Sequence, residues 1–209
     1  MGMSERYSSS RIGLDLDNTL IRYDRLFYEI AVERQFVPVD FVVAKREIRD
    51  RVRLLPDGDI EWQRLQAHVY GPAITSASAA EGALDFIRRA REHGAQLTIV
   101  SHKSTFANIG ATVNLRDAAR DWLRNNGIVG PDAIPESDVY FEETRAEKIA
   151  RIVSLGCTHF IDDLEEVFCD PAFPAGVERM LLGTDHRKPG SPYRTFASFR
   201  EIENAFSAD

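Results

Sequence analysis

Two kinds of hydrophobic pattern alternate along the chain. Residues 12–16, 97–100, 139–141, 158–161 and 179–182 are short, apolar-rich runs of the kind that form strands covered on both faces. Between them, apolar residues recur every three or four positions, as on one face of a helix. Ala83, Phe86, Ile87 and Ala90 mark one such helix, ending at His93-Gly94. Ala118, Ala119, Trp122 and Leu123 mark a second over 115–125, stopped by Gly127. A third spans 146–155 and stops at Gly156, and a closing helix spans 199–206. Residues 179–182 are expected to form the last strand. Alternating helices and buried-type strands predict an α/β fold, a parallel sheet between layers of helices.

The alternation is interrupted after the first strand. Tyr23, Leu26, Phe27, Ile30 and Ala31 fall at helical spacing, and Pro38 closes that segment. Asp40 is placed to cap a second helix carrying Phe41, Val43, Ala44, Ile48 and Val52, which ends near Pro56-Asp57-Gly58. A third helix over 60–70 carries Trp62, Leu65 and Val69 and stops at Gly71-Pro72. About fifty residues of helix are too many for a simple crossover. The predicted organisation is a core of 1–22 with 73–209, and an inserted helical module of 23–72.

Composition narrows the function classes. The 209 residues carry a net charge of −7, which argues against a nucleic-acid partner, since that needs a basic face. No apolar run approaches a membrane span, and the polar start of the chain lacks the apolar stretch of a secretory leader. Arg6 stands where a myristoylated Gly2 would need Ser or Thr. The two cysteines, Cys157 and Cys169, lack zinc-site spacing and are read as reduced structural thiols. The expectation is a cytoplasmic protein of open oligomeric state.

Polar residues collect where the strands end. The first run leads into Asp15 and Asp17; Ser101 follows 97–100; Asp162-Asp163 follows 158–161; Lys148 lies near the start of the helix before that last strand. In a parallel sheet these ends lie on one edge, where ligands bind. Two carboxylates held close in a partly desolvated site repel by about 4 kcal/mol at an effective dielectric of 20. Such a pair calls for a cation or a retained proton. Mg²⁺ takes carboxylate and water oxygens together with substrate phosphate. Four acids, a lysine and a hydroxyl suit phosphoryl transfer.

The order Asp15-Leu16-Asp17-Asn18-Thr19, Ser101, Lys148, Asp162-Asp163 resembles the haloacid dehalogenase-like (HAD) superfamily over nearly the whole chain. Receiver domains of two-component signalling use similar groups in a different order. The resemblance implies a three-layer Rossmann-like core with an inserted helical cap, and a Mg²⁺-dependent phosphatase. Asp15 would be the nucleophile, forming an aspartyl-phosphate, and Asp17 the general acid and base. Thr19 would help fix the turn, and Ser101 would bind a phosphoryl oxygen. Lys148 would neutralise charge on Asp15 and the phosphoryl group, a task for which Lys103 competes. Mg²⁺ would be bound by Asp15, the Asp17 carbonyl and Asp162, with Asp163 or Glu166 as a further acid. The superfamily's dehalogenases lack the second Asp of the first motif, so Asp17 disfavours that branch. A small cap favours a small phosphorylated substrate. A phosphate-binding or regulatory protein on the same scaffold, and phosphotransfer to an acceptor other than water, stand as alternatives.

Other features have plainer readings. Lys45, Arg46, Arg49, Arg51 and Arg53, interleaved with Glu47 and Asp50, read as a solvated helix face before they read as an anion clamp. Trp62 and Tyr70 read as core of the insert. His102 is as plausibly structural as functional, His159 reads as a sheet residue, and His68, His93 and His186 have no ligand-spaced partners.

Overall fold

A computed structural model of the chain describes residues 7–109, 113–183 and 190–207. The expectations for the first six residues and for His186 fall outside these. Six parallel strands form the central sheet in the order β5-β4-β1-β6-β7-β8. They are β1 (Arg11–Leu14), β4 (Gln96–His102), β5 (Val139–Glu142), β6 (His159–Asp162), β7 (Glu178–Leu182) and β8 (Arg194–Phe196). A separate pair, β2 (Ile21–Arg22) with β3 (Ser78–Ala79), lies where the chain leaves the core and returns. From β1 the chain builds outward through β4 and β5, then crosses back to β6, β7 and β8. The reversal of direction lies beside β1, and a crevice at such a switch point is the usual ligand position of an open α/β sheet.

Helices α4 (Ala83–Glu92), α5 (Leu115–Asn125), α6 (Arg145–Ser154), the one-turn α7 (Glu165–Phe168) and α8 (Phe199–Ser207) alternate with the strands. The α/β parallel sheet expected from the periodicity is therefore present, and it is Rossmann-like, as the resemblance implied. Its strands are covered: Ile12, Leu14, Ile99, Val100, Phe160, Ile161 and Leu181 are all buried. Phe160 meets Phe168 and Phe173 edge-on, with ring centroids 6.5 and 6.4 Å away, and packs in one cluster with Ile149 and Ile152 of α6. A Cβ at Gly13 would lie 2.5 Å from the Phe160 ring, so only glycine lets β1 sit this close to β6's side chains.

Some strand boundaries differ from expectation. The strand at 179–182 is not the last, because β8 pairs with β7 from Met180↔Arg194 to Leu182↔Phe196. At three residues, β8 has no apolar run to announce it. Strand β1 ends at Leu14, two residues short of the predicted Leu16, although the Asp15 amide still donates to Ile161 O at 2.9 Å.

The chain divides into two compact units. The sheet with α4, α6, α7 and α8 forms one, and Ile21–Ser78 with Ser104–Leu123 forms the other. The second unit contains α1 (Asp24–Glu33), α2 (Lys45–Val52), α3 (Gly58–Tyr70) and most of α5. Its centre is aromatic: Phe27 stacks on Trp62 at 5.1 Å and meets Tyr70 edge-on at 5.6 Å. The Lys45 ammonium lies 5.4 Å from the Tyr70 ring. Helix α2 begins at Lys45 rather than after Asp40. The Lys45 amide is capped by Asp24 Oδ1 from α1 at 2.8 Å, which places the start by a tertiary contact. Residues 104–123 join this unit in part through Trp122, whose buried indole N–H donates to Ala77 O at 2.9 Å.

Candidate active site

Strand periodicity aims the acids. Gly13 and Asp15 alternate to the same side of β1, as Phe160 and Asp162 do on β6, and this is the side on which α6 packs. Helix α6 starts with a capping box: the Glu147 amide donates to Thr144 Oγ1 at 3.1 Å, and the Thr144 amide donates to Glu147 Oε2 at 3.0 Å. That cap fixes the rotation of the first turn. Glu147 is left exposed and Lys148, one position on, is turned fully into the core.

Lys148 Nζ donates to Asp15 Oδ1 at 2.6 Å and to Asp162 Oδ2 at 2.7 Å, with all three side chains buried. The Leu164 amide donates to Asp162 Oδ1 at 2.9 Å, which orients the second acid. Carboxylate oxygens of Asp15, Asp162 and Asp163 lie within 4.8 Å of one another. Lys103, also buried, donates to both oxygens of Asp17 at 2.9 Å. The Lys103 amide donates in turn to Glu142 O at the end of β5. Ser101 is buried on β4, in register with Phe141.

After Asp17 the backbone turns sharply. Asn18 adopts φ +62°, a left-handed conformation that Asn tolerates better than most residues, and the Leu20 amide closes the turn on Leu16 O at 2.9 Å. The two aspartates have different partners. Asp15 faces Lys148, and Asp17 faces Lys103. Thr19 is fully buried inside the turn.

The structure thus gathers Asp15, Lys148, Asp162 and Asp163 about one point and sets Asp17 on Lys103. The two lysines, read as competitors for one task in the sequence, each hold a different carboxylate. Asp163, not the exposed Glu166, joins the carboxylate group, and the Asp17 side chain is not part of it. His102 is exposed, while His159 lies at the opposite end of its strand against Glu178 and Phe206.

Charge at this point is out of balance. Asp15 and Asp162 bring two negative charges to one ammonium. Burial pushes the Asp15 carboxyl well above the usual carboxylate range; Lys148 opposes this, and Asp162 and then Asp17 add to it. Burial works against the Lys148 charge as well, but Asp15 and Asp162 more than offset it and hold its pKa above the ordinary lysine value. The three acids offer only hard oxygen donors, a set suited to a divalent cation such as Mg²⁺. A cation there would correct the deficit that Lys148 leaves.

No protein-family model matches the chain, and no curated protein matches its sequence. Solved structures do share its fold. A HAD family hydrolase from Deinococcus radiodurans, solved with bound phosphate and sodium, superposes with a TM-score of 0.60 at 17% identity, covering 95% of each chain. A predicted phosphoglycolate phosphatase from Haemophilus somnus gives 0.58 at 16% identity, covering 94% of this chain and 97% of that one. A candidate HAD-hydrolase from Bacillus subtilis, bound to magnesium, gives 0.59 at 14% identity, covering 94% and 98%. Dehalogenases also stand among the similar structures, with TM-scores of 0.52 and 0.56. The fold is that of the HAD-superfamily hydrolases.

Proposed function

We propose that this protein is a Mg²⁺-dependent phosphatase that hydrolyses a small phosphorylated metabolite through an aspartyl-phosphate. The reading rests above all on one arrangement: Asp15 and Asp17, one residue apart, are held by two different buried lysines. A dehalogenase needs an attacking carboxylate but no second acid to protonate an oxygen. Asp17, fixed by both oxygens on Lys103, supports phosphate over halide chemistry.

In this mechanism an Asp15 carboxylate oxygen attacks phosphorus, forming an O–P bond as the ester P–O bond breaks. Asp17 gives its proton to the departing oxygen, so the alcohol leaves neutral. The deprotonated Asp17 then takes a proton from a water that attacks the phosphoryl group, which releases inorganic phosphate and restores Asp15. Lys148 holds the Asp15 carboxylate in place and offsets charge gathering on the phosphoryl oxygens. Ser101 would donate to one of those oxygens from the end of β4. Lys103 orients Asp17 through both of its carboxylate oxygens. Asp15, Asp162 and Asp163, with the Asp17 backbone carbonyl, would hold a Mg²⁺ whose charge draws off electron density from the phosphoryl group.

The test is phosphate release from a generic aryl phosphate and from a panel of phosphorylated metabolites, with and without Mg²⁺. Turnover that needs Mg²⁺ and vanishes in Asp15→Asn supports the reading. Wild type and Asp15→Asn equally silent across the panel would sink it. Tight phosphate binding without turnover would favour the regulatory alternative. Release in ¹⁸O-labelled water separates hydrolysis, which labels the phosphate, from transfer to another acceptor.

A further inference from the structure

The opposite edge of the sheet carries a cavity of about 400 Å³, lined by residues from the starts of β1 and β4 and the segment before β6. Arg11 opens β1 in register with Gln96 at the start of β4, so the cavity lies a full strand length from Asp15 and Ser101. Two guanidiniums, Arg11 and Arg91, line it, and Asp138 is the one acid on its wall. Among the described residues neither guanidinium forms an ion pair or a hydrogen bond. Arg11 is nonetheless well placed. Its amide donates to Thr158 Oγ1 at 2.9 Å, and its carbonyl accepts from the Thr158 amide at 2.8 Å. Gly156 keeps space open beside it, since a Cβ there would come within 3.0 Å of Arg11 Nη1.

The rest of the wall is apolar: Leu97, Leu155 and Cys157. Burial pushes the Cys157 thiol up to about 11, so it lies there as a neutral, weakly polar group. A neighbouring cavity of about 310 Å³ at the same edge makes the contrast clear. Its cation, Arg194, is already paired with Glu178 at 2.6 Å, and His159 lies 3.4 Å from the same acid. That second cavity balances its own charge. The first does not.

We propose that the Arg11–Arg91 cavity is a binding site for a small organic monoanion, an oxyanion group attached to a compact apolar body. Two guanidinium forks match a carboxylate or phosphate-type oxyanion. Asp138 offsets one of the two positive charges and so disfavours a dianion. The apolar body lies on Leu97, Leu155 and Cys157, within a volume typical of small-molecule sites. The site is separate from the catalytic edge, and its existence does not depend on the phosphatase reading.

The test uses the full chain, ¹⁵N-labelled, titrated with sodium benzoate and sodium phenylacetate, and with neutral benzamide as control. At about 10 mM probe even millimolar binding is visible. The expected result is saturable shifts of the Gly94, Gln96, Thr98 and Gly156 amides by the anions and not by benzamide. Arg11→Met and Arg91→Met should each weaken binding about tenfold. Arg88→Met, the same charge loss on α4 but outside the cavity, should leave it unchanged. Unaltered spectra elsewhere would show that each variant is folded. The proposal is overturned if the anions shift none of these amides, or shift only Ser101 and Lys103. Shifts that persist in both arginine variants, or that benzamide matches, overturn it equally.

Discussion

Replacing Asp15 by asparagine should make the metal-free protein more stable at pH 8, although the side chain sits in the middle of the site. The carboxyl is buried and its pKa is raised from 3.8 to about 7, chiefly by desolvation, with Lys148's attraction already opposing the rise. A folded-state pKa above the unfolded one means that the fold binds this proton more tightly. The contribution is therefore full below about pH 4 and is lost as pH rises through about 7. Above that, the wild type carries the whole cost of burying an ionised carboxylate. Roughly three pH units at about 1.4 kcal/mol each give about 4 kcal/mol as an upper bound. Asparagine has nearly the same shape, keeps an oxygen for the Lys148 ammonium and carries no charge. It leaves Lys148 and Asp162 as a neutral pair. Urea unfolding in chelator at pH 4, 6 and 8 would measure this. Asp15→Asn should gain about 2–4 kcal/mol at pH 8 and little at pH 4. Millimolar Mg²⁺ should narrow the gap by stabilising the wild type selectively, by about 2.7 kcal/mol at a hundred times its Kd. A variant less stable than wild type at pH 8, or a difference independent of pH, would refute the reasoning.

Other perturbations follow the same logic. Lys148→Met strips the cation from two buried carboxylates and should cost about 3–5 kcal/mol, lowering the melting temperature by about 10 °C in a scanning experiment. Gly13→Ala drives a methyl into the Phe160 ring and should destabilise by about 1–3 kcal/mol; Phe160→Leu in the same chain should recover part of the loss. Glu178 has its pKa lowered by a hydrogen bond to His159 and by Arg194, so it stabilises the fold above the usual glutamate pKa and loses that effect as pH falls through its folded value. The melting-temperature difference between wild type and Glu178→Gln should accordingly shrink on acidification from pH 6 to pH 3.

Local chemistry made some elements legible in the sequence. Helix α5 was expected over 115–125 and is found at Leu115–Asn125, because its apolar spacing and the Gly127 stop (φ +68°) are both local signals. Lys148 was ambiguous beside Glu147. Neighbouring helical residues point about 100° apart, and only the Thr144 capping box decides which of the two faces the core. Lys103 and Lys148 could not be assigned separate partners from order alone, because each meets its carboxylate across the sheet, 86 and 133 residues away along the chain. Contacts distant in sequence left no trace in the pattern. The grouping of 104–123 with the helical insertion rests in part on Trp122 reaching Ala77, and β8 exists because β7 offers it an edge.

Strand β1 has a paired strand on each side, β4 and β6, and its side chains are buried beyond Arg11. Its amides belong to the part of the ladder that exchanges with solvent only when the whole core opens. Asp15 is joined to that ladder through its own amide on Ile161 O. Asp15 is thus anchored to the part of the sheet that opens last. Heating or denaturant should leave its position intact until the core itself unfolds, so hydrogen exchange at Gly13 to Asp15 would report the lifetime of the site and of the fold with one rate.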